Sequence, residues 1–311
     1  MNIFLAGASG LVGSAFARAA ARRGHRVTGI VGSFDGPIEG LHKKLKLDLT
    51  DDVATTSAVL EAFPEAIVNC AAISVPEQCE AKPVLAYAMN VTLPATLARL
   101  AHHVSARFIH LSSEQVFDGT SGKPYSAGDA VLPINLYAQQ KIESEQRVHD
   151  VAPTFAVTLR VPLLTGNSAT GQRSLHERLL LDWSAGKTPR LFVDEFRQPC
   201  SAENLAEVLV EMCERRDVLG IQHWAGTELL SRHALGVRVR ERFKLTELQA
   251  PIVSVKRTDV PEAAKKRQPS LALNIAPLTA KLKTRPQSLA EQLDELKVPA
   301  PVRAWYCALG E

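Results

Sequence analysis

The sequence predicts an α/β fold, a doubly wound parallel sheet with helices on both faces and a smaller C-terminal lobe. Apolar runs at 2–6, 27–31, 66–71, 107–111, 155–161 and 221–225 alternate with helical patterns near 12–23, 51–62, 80–103, 136–149 and 202–216. Such alternation builds a parallel sheet joined by right-handed crossovers. The first strand-to-helix turn carries glycines spaced Gly-x-x-Gly-x-x-Gly, from Gly7 to Gly13. The length of 311 residues exceeds the usual size of one core, so a second unit is expected.

The first strand feeds the glycine turn, and an alanine-rich helix pattern follows from Ser14 to Arg23. Glycine is needed where a strand turns sharply, where backbone approaches a pyrophosphate, and where a helix packs close on its strand. The helix start adds free N–H groups and a positive dipole end. Gly7, Gly10, Leu11, Val12 and Gly13 are therefore expected at a dinucleotide. The second strand ends in Val31-Gly32-Ser33, without the acid that commonly binds the adenosine ribose hydroxyls. That absence removes repulsion toward a 2′-phosphate, and Ser33 can donate to one, so NADP is favoured over NAD. No arginine follows, and Asp35 is the first acid that would reverse the preference.

The helical pattern at 136–149 sets Tyr137 and Lys141 at i and i+4, on one face. Ser113 stands just past the apolar run Phe108 to Leu111. A serine hydroxyl polarising a carbonyl oxygen, a phenol giving it a proton, and an ammonium beside the phenol suit proton transfer at a carbonyl. Tyr-x-x-x-Lys alone is an ordinary helix-surface pair; the glycine turn upstream and a serine at a strand end give it chemical meaning. His110 is expected to pack within its strand, and His102 and His103 point to different helix faces.

The nucleotide-binding unit is expected over 1–165 plus about 198–225, and the substrate lobe over 166–197 plus 226–311. The lobe should hold a helix near 172–185 and irregular segments from 226 onward, where six prolines between Pro261 and Pro301 disfavour long elements. Hydrophobic content of 46% and charged content of 22% are ordinary for a soluble globular enzyme. A net charge of +3 with no basic-aromatic cluster argues against nucleic acid. No run reads as a membrane span or a signal-peptide core. Five scattered cysteines lack metal-ligand spacing, Cys70 and Cys213 are expected buried, and a reducing cytoplasm is the expected setting.

The chain resembles the extended short-chain dehydrogenase/reductase superfamily, and within it the dTDP-4-dehydrorhamnose reductase group. The resemblance rests on Gly7 to Gly13, Leu47-Asp48-Leu49, Val68 to Ala72, Asn90, Leu111 to Gly119, Pro133 to Tyr137 with Lys141, and Leu159-Arg160. After Asn167 it is looser, through Arg197-Gln198-Pro199, Leu205-Ala206 and Gly220 to Gly226. It implies a Rossmann-type sheet and an NAD(P)-dependent oxidoreductase acting on a carbonyl of a nucleotide sugar, as in dTDP-rhamnose biosynthesis. Ser113, Tyr137 and Lys141 would be catalytic, with Tyr137 and Lys141 also at the cofactor. Asp48 and Leu49 would contact adenine, and Ala71, Ala72 and Ile73 would line the ribose; Asp48 alternatively caps a helix.

Ser113, Glu114 and Arg267 are expected at the substrate. Glu114 either bonds a sugar hydroxyl or caps the following turn. Arg160 and Arg267 either meet a diphosphate or form ion pairs. Leu163 replaces a tryptophan and Pro76 an aspartate that relatives commonly have, which leaves the sugar open; Ala127 and Ala138 are milder departures. No metal is expected, and a homodimer is carried as an expectation. The alternatives to a reductase of 4-keto sugar nucleotides are a silent regulatory subunit, as in methionine adenosyltransferase, and a sugar-nucleotide epimerase.

Overall fold

Each of the six apolar runs forms a strand of one sheet. In the computed structural model the strands in chain order are β1 (Asn2–Ala6), β2 (Arg26–Val31), β3 (Lys43–Lys46), β4 (Ala66–Asn69), β5 (Arg107–Ser113), β6 (Ala156–Val161), β7 (Leu164–Thr165), β8 (Arg190–Phe192), β9 (Phe196–Arg197), β10 (Cys200–Ser201), β11 (Gly220–His223), β12 (Leu230–Ser231), β13 (Val253–Val255) and β14 (Ser270–Leu271). Residues 1–309 are described; Gly310 and Glu311, the end of the expected lobe, and the side chains of Ala263 and Ala264 lie outside that description. Seven strands form a parallel sheet in the order β11-β6-β5-β4-β1-β2-β3, and the others make small two- and three-stranded sheets. Strand order reverses between β1 and β4, which opens a crevice at their carboxyl ends.

β3 has no counterpart among the expected strands. Its sequence Lys43-Lys44-Leu45-Lys46 carries one apolar residue, and as the outer strand it needs no second buried face. Lysines also protect such an edge from pairing with another chain.

Helices cover both faces. On one, α1 (Leu11–Arg22) buries Ala15, Phe16, Ala19 and Ala20 in the same apolar cluster as Leu205, Leu209 and Met212 of a helix at Ala202–Glu214. On the other lie α2 (Asp52–Ala62), α3 (Pro76–Ala81), α4 (Pro83–Tyr87), α5 (Leu93–His103) and α6 (Leu136–Val151). The expected single helix at 80–103 is thus divided. Lys82 leaves helical geometry before Pro83, and a π turn at Ala88–Thr92 joins α4 to α5.

The run Pro83–His103 is, by length and composition, apolar enough to cross a membrane, contrary to the sequence reading. Its most apolar window is 61% buried, and Leu93, Leu97, Ala98 and Ala101 pack in the core beside Phe4, Ile67 and Phe108. It behaves as a core helix.

α6 docks differently from its neighbours. Its buried positions Tyr137, Lys141, Ser144, Glu145 and Val148 recur at helical spacing, yet three of the five carry charge or hydroxyl in mid-helix. The Lys141 ammonium donates to the Leu111 carbonyl at 2.8 Å. Ser144 Oγ pairs with His110 Nε2 at 3.0 Å, and Ser112 donates to Glu145. Arg160 of β6 closes the set with two bonds to Glu145, at 2.9 and 2.6 Å.

The helix at Ala202–Glu214 is α8, and a third apolar cluster lies apart from it, around α7 (Leu175–Ser184). Its own residues are Leu179 and Trp183 of α7, Leu235 and Val239 of α9 (Arg232–Arg242), and Leu289, Leu293 and Val302 near the end of the described chain. The regular α9 replaces the irregular structure expected there. Ser231 caps it by accepting from the Ala234 N–H at 3.0 Å, and no proline falls within it.

Glu145 and Arg160 are 5% and 2% exposed in their side chains, so removing one leaves the other buried and unpaired. Arg160→Met is expected to cost about 3–5 kcal/mol in urea unfolding, and Arg160→Met with Glu145→Leu to cost clearly less than either single change.

Candidate active site

The glycine turn is built by contacts within the chain before any ligand is considered. Gly7 has φ +81°, and a Cβ there would stand 2.7 Å from the Ala71 nitrogen. A Cβ at Gly13 would come within 2.2 Å of the Gly7 carbonyl oxygen. Gly10 is less crowded within the protein, with Gly7 O at 3.2 Å, but it begins α1 without any side-chain cap. No acid lies in the first turn, so the helix presents unmet amides and its positive end to the crevice. This cradle fits the diphosphate of a dinucleotide.

Gly10, Leu11 and Val12 line an open cleft of about 1080 Å³. From β4, Ala71, Ala72 and Ile73 line the same space, as do Ser113, Glu114, Tyr137, Lys141 and Arg267. Gly7 and Gly13 support the turn from behind. Asp48 and Leu49 stand outside the cleft lining: Leu49 is buried in the core, and exposed Asp48 accepts from the backbone and hydroxyl of Thr50 at 2.9 and 2.7 Å. Those bonds hold its carboxyl below the usual range. The helix cap is Asp51, which accepts from the Ala54 N–H at 3.0 Å, so the capping alternative for Asp48 moves three residues on.

Asn90 clamps one cleft wall. Its amide donates to the Ile73 carbonyl at 3.0 Å and to Gln140 of α6 at 2.9 Å, while its oxygen accepts from the Ile73 N–H at 2.9 Å. The π turn places this residue inward, a local irregularity common at functional sites. Asn69 donates to His110 Nδ1, so the ring hydrogen sits on Nε2 and is given to Ser144 Oγ. Burial holds His110 well below its ordinary value, and it is a neutral packed residue, as its strand position suggests.

Ser113 ends β5, and its Oγ accepts from the Gln115 N–H at 3.2 Å, which leaves its own hydrogen to face the Tyr137 phenol. Burial raises the Tyr137 phenol above its ordinary value, opposed by the Ser113 hydroxyl. Lys141 Nζ lies 5.9 Å from the Tyr137 ring centre. Burial pushes this ammonium down to about 8, opposed by Glu145. A phenol that keeps its proton, a serine hydroxyl turned toward it and a lysine poised near neutrality thus share one wall.

Glu114 is 3% exposed, and burial pushes its carboxyl up to about 8 against the pull of Arg197. Arg197 Nε stands 3.3 Å from Glu114 Oε1, while Oε2 has no hydrogen-bond partner among the described residues. Arg267 reaches Glu77 at 3.3 Å and Glu195 at 3.7 Å. Arg160, by contrast, is committed to Glu145 and lies over the Phe117 ring at 5.0 Å, so it is removed from any diphosphate.

Sequence reasoning missed Glu195, Arg178 and Arg232 as cleft residues and gave Arg197 no role. Each is a lone charge on a short element far along the chain, and no spacing marks it. Of the cysteines, Cys213 is buried as expected, whereas Cys70 is partly exposed and lines the cleft. No cluster of metal-ligating side chains occurs among the described residues.

Residues 1–298 match the RmlD substrate binding domain family. The probable low-salt glycan biosynthesis reductase of Haloferax volcanii is 32% identical over 249 residues, covering 78% of this chain and 80% of that protein. The β subunit of methionine adenosyltransferase 2 from Xenopus laevis is 31% identical over 207 residues, covering 64% of this chain and 60% of the subunit. Among solved structures, a hypothetical dTDP-4-dehydrorhamnose reductase from Sulfolobus tokodaii superposes with a TM-score of 0.81 at 27% identity, over 96% of this chain and all of that one. Other structures of the same fold carry NADP or NAD. The chain belongs to the RmlD substrate binding domain family, within the extended short-chain dehydrogenase/reductases that its sequence resembles.

Proposed function

We propose that this protein is an NAD(P)H-dependent reductase of a 4-keto sugar nucleotide, with segments 166–197 and 226–311 acting as its substrate lobe. The observation that carries the reading is one cleft lined by an uncapped glycine-turn helix and by Ser113, Tyr137 and Lys141 together. Reduced nicotinamide, when bound, supplies hydride to the keto carbon. Ser113 turns its hydroxyl hydrogen from the Tyr137 phenol to the carbonyl oxygen and orients it. Tyr137 gives that oxygen its proton as negative charge develops. Lys141, fixed by the Leu111 carbonyl, holds the cofactor ribose and stabilises the phenolate left behind. The chain's resemblance to reductases and its kinship with a glycan-biosynthesis reductase support an enzyme acting in the cytoplasm. Kinship with a methionine adenosyltransferase β subunit favours a second reading, a nucleotide-binding partner without turnover.

NADPH is the favoured cofactor for a reason the structure adds. Asp35, the acid that would have argued for NADH, is paired to Lys46 at 2.8 Å, which holds its carboxyl below the usual range. Lys46 is in register with Val31, the last residue of β2, which puts its backbone at the strand end where a dinucleotide's adenosine ribose usually binds. Lys44 ties the same loop through the carbonyls of Asp35 and Gly36. Lys46→Ala is expected to lower the NADPH-to-NADH affinity ratio about tenfold, the size of one charge-assisted hydrogen bond. Fluorescence titration of both cofactors checks it; an unchanged ratio removes Lys46 from the cofactor site.

Tyr137→Phe is expected to lower kcat by about 10²–10⁴-fold while cofactor and substrate affinities hold, because the ring still fills its place. Near-native turnover in that variant would end this mechanism. Lys141 loses its charge above about 8, and Glu114 gains one there. Turnover should therefore fall as pH rises through 8. Glu114→Gln, which cannot ionise, should retain only the limb that belongs to Lys141.

A further inference from the structure

The turn that follows Ser113 is completed by a residue from far along the chain. After β5 the backbone makes a single 3₁₀ turn at Glu114–Val116, too short to satisfy its own carbonyls. The Phe117 N–H meets the Glu114 carbonyl at 3.2 Å, and the Leu132 N–H meets the Val116 carbonyl at 2.9 Å. The Gln115 carbonyl between them accepts from Gln268 Nε2 at 3.1 Å. Gln268 is 1% exposed and belongs to the lining of the same cleft.

Gln268 is itself held on both sides. Its carbonyl accepts from Arg197 Nη1 at 3.1 Å, and the Phe196 N–H donates to the Pro269 carbonyl at 2.7 Å, so β9 fixes its backbone. On the other side Gly119, with φ +81°, permits a close approach: a Cβ there would stand 2.9 Å from the Gln268 Cβ. The Ser270 N–H reaches the Gly119 carbonyl at 3.3 Å. The side-chain amide therefore transmits the position of the C-terminal segment to the turn.

What the turn controls is the Ser113 hydroxyl. Its Oγ accepts from the Gln115 N–H at 3.2 Å, which occupies one lone pair and leaves the hydrogen to face the Tyr137 phenol. The N–H and the carbonyl of Gln115 flank one Cα. A rotation of Gln115 that freed its carbonyl would also swing its N–H away from Ser113.

We propose that Gln268 is a positioning residue for proton delivery: by holding the Gln115 carbonyl it keeps the Gln115 N–H on Ser113 Oγ, and so aims the serine hydrogen at the reacting oxygen. This deepens the reductase reading and rests on it for the reaction.

Gln268→Met keeps the length of the side chain and removes the donor. Its kcat is expected to fall about tenfold, the size of one hydrogen bond, while KM and NADPH affinity hold. In a Ser113→Ala background, which has no hydroxyl to aim, the same change is expected to leave kcat nearly unaltered. General damage would instead lower both backgrounds by the same factor. An equal factor in the two backgrounds, or a kcat that Gln268→Met leaves unchanged, overturns the proposal. Should Gln268→Met fail to fold, Gln268→Glu carries the same test, since an ionised carboxylate of equal length cannot donate either. Amide hydrogen exchange reads the contact without turnover. The Gln115 N–H is expected to exchange faster in the variant than in wild type, and equal rates overturn the proposal even where no substrate is found. Failure of the reductase reading is distinct, because it shows in a wild-type protein that reduces no 4-keto sugar nucleotide.

Discussion

Three polar contacts between α6 and β5 fix the register on which the whole site depends. Lys141 reaches the Leu111 carbonyl, Ser144 meets His110, and Glu145 meets Ser112 while Arg160 locks it from β6. Apolar packing would tolerate a helix sliding along a strand, since one methyl group replaces another at little cost. Buried polar groups tolerate no such slip, because each displaced partner would be left unmet in a low dielectric. The helix therefore has one position, and in it Tyr137 stands at the end of β5 beside Ser113. The partly apolar requirement of an ordinary core helix is met by α5, one layer over. Asn90 extends the same constraint to the other side by tying Ile73 to Gln140.

Sheet topology brings the second half of the site to this point. Only between β1 and β4 does the strand order reverse, so the glycine turn and the segment after β4 flank one crevice. A Cβ on Gly7 would stand 2.7 Å from the Ala71 nitrogen, so glycine is what lets the two segments approach. The cleft thus has one wall shaped by close backbone approach, one by a polar helix–strand seam, and a third by arginines. Charge is unevenly matched across it: the first two walls are nearly neutral, while the third carries cations that its own acids leave partly uncompensated.

The sheet was legible because its strands are buried on both faces and read as continuous apolar runs, with β4 and β6 as clear cases. β3 was not, since an edge strand made of lysines carries no such pattern. The Ser113, Tyr137 and Lys141 set was legible from helix spacing and from a strand end, both local features. Residues that meet only in three dimensions left no trace: Arg178, Glu195 and Arg232 come from separate small elements, and nothing local distinguishes them from surface charges. Arg160 takes the second of its two expected roles, the ion pair. Its side chain has the right chemistry for a phosphate, but its strand position turns it toward Glu145 in the interior. The helix α9 escaped notice because the prolines from Pro261 onward coloured the expectation for a segment that ends at Arg242.

Kinship with both a reductase and a subunit of another enzyme makes turnover the decisive property. In the proposed function Ser113, Tyr137 and Lys141 deliver a proton, and that use is read in the fate of hydrogen. Incubation of the protein with NADPH deuterated at the transferring position and a panel of nucleotide-linked 4-keto sugars, followed by mass spectrometry of the sugar, reads it directly. A sugar alcohol that gains deuterium at its former keto carbon, with matching loss of reduced-nicotinamide absorbance, is the expected result. Tight cofactor binding with no deuterium transfer to any member of the panel would contradict it.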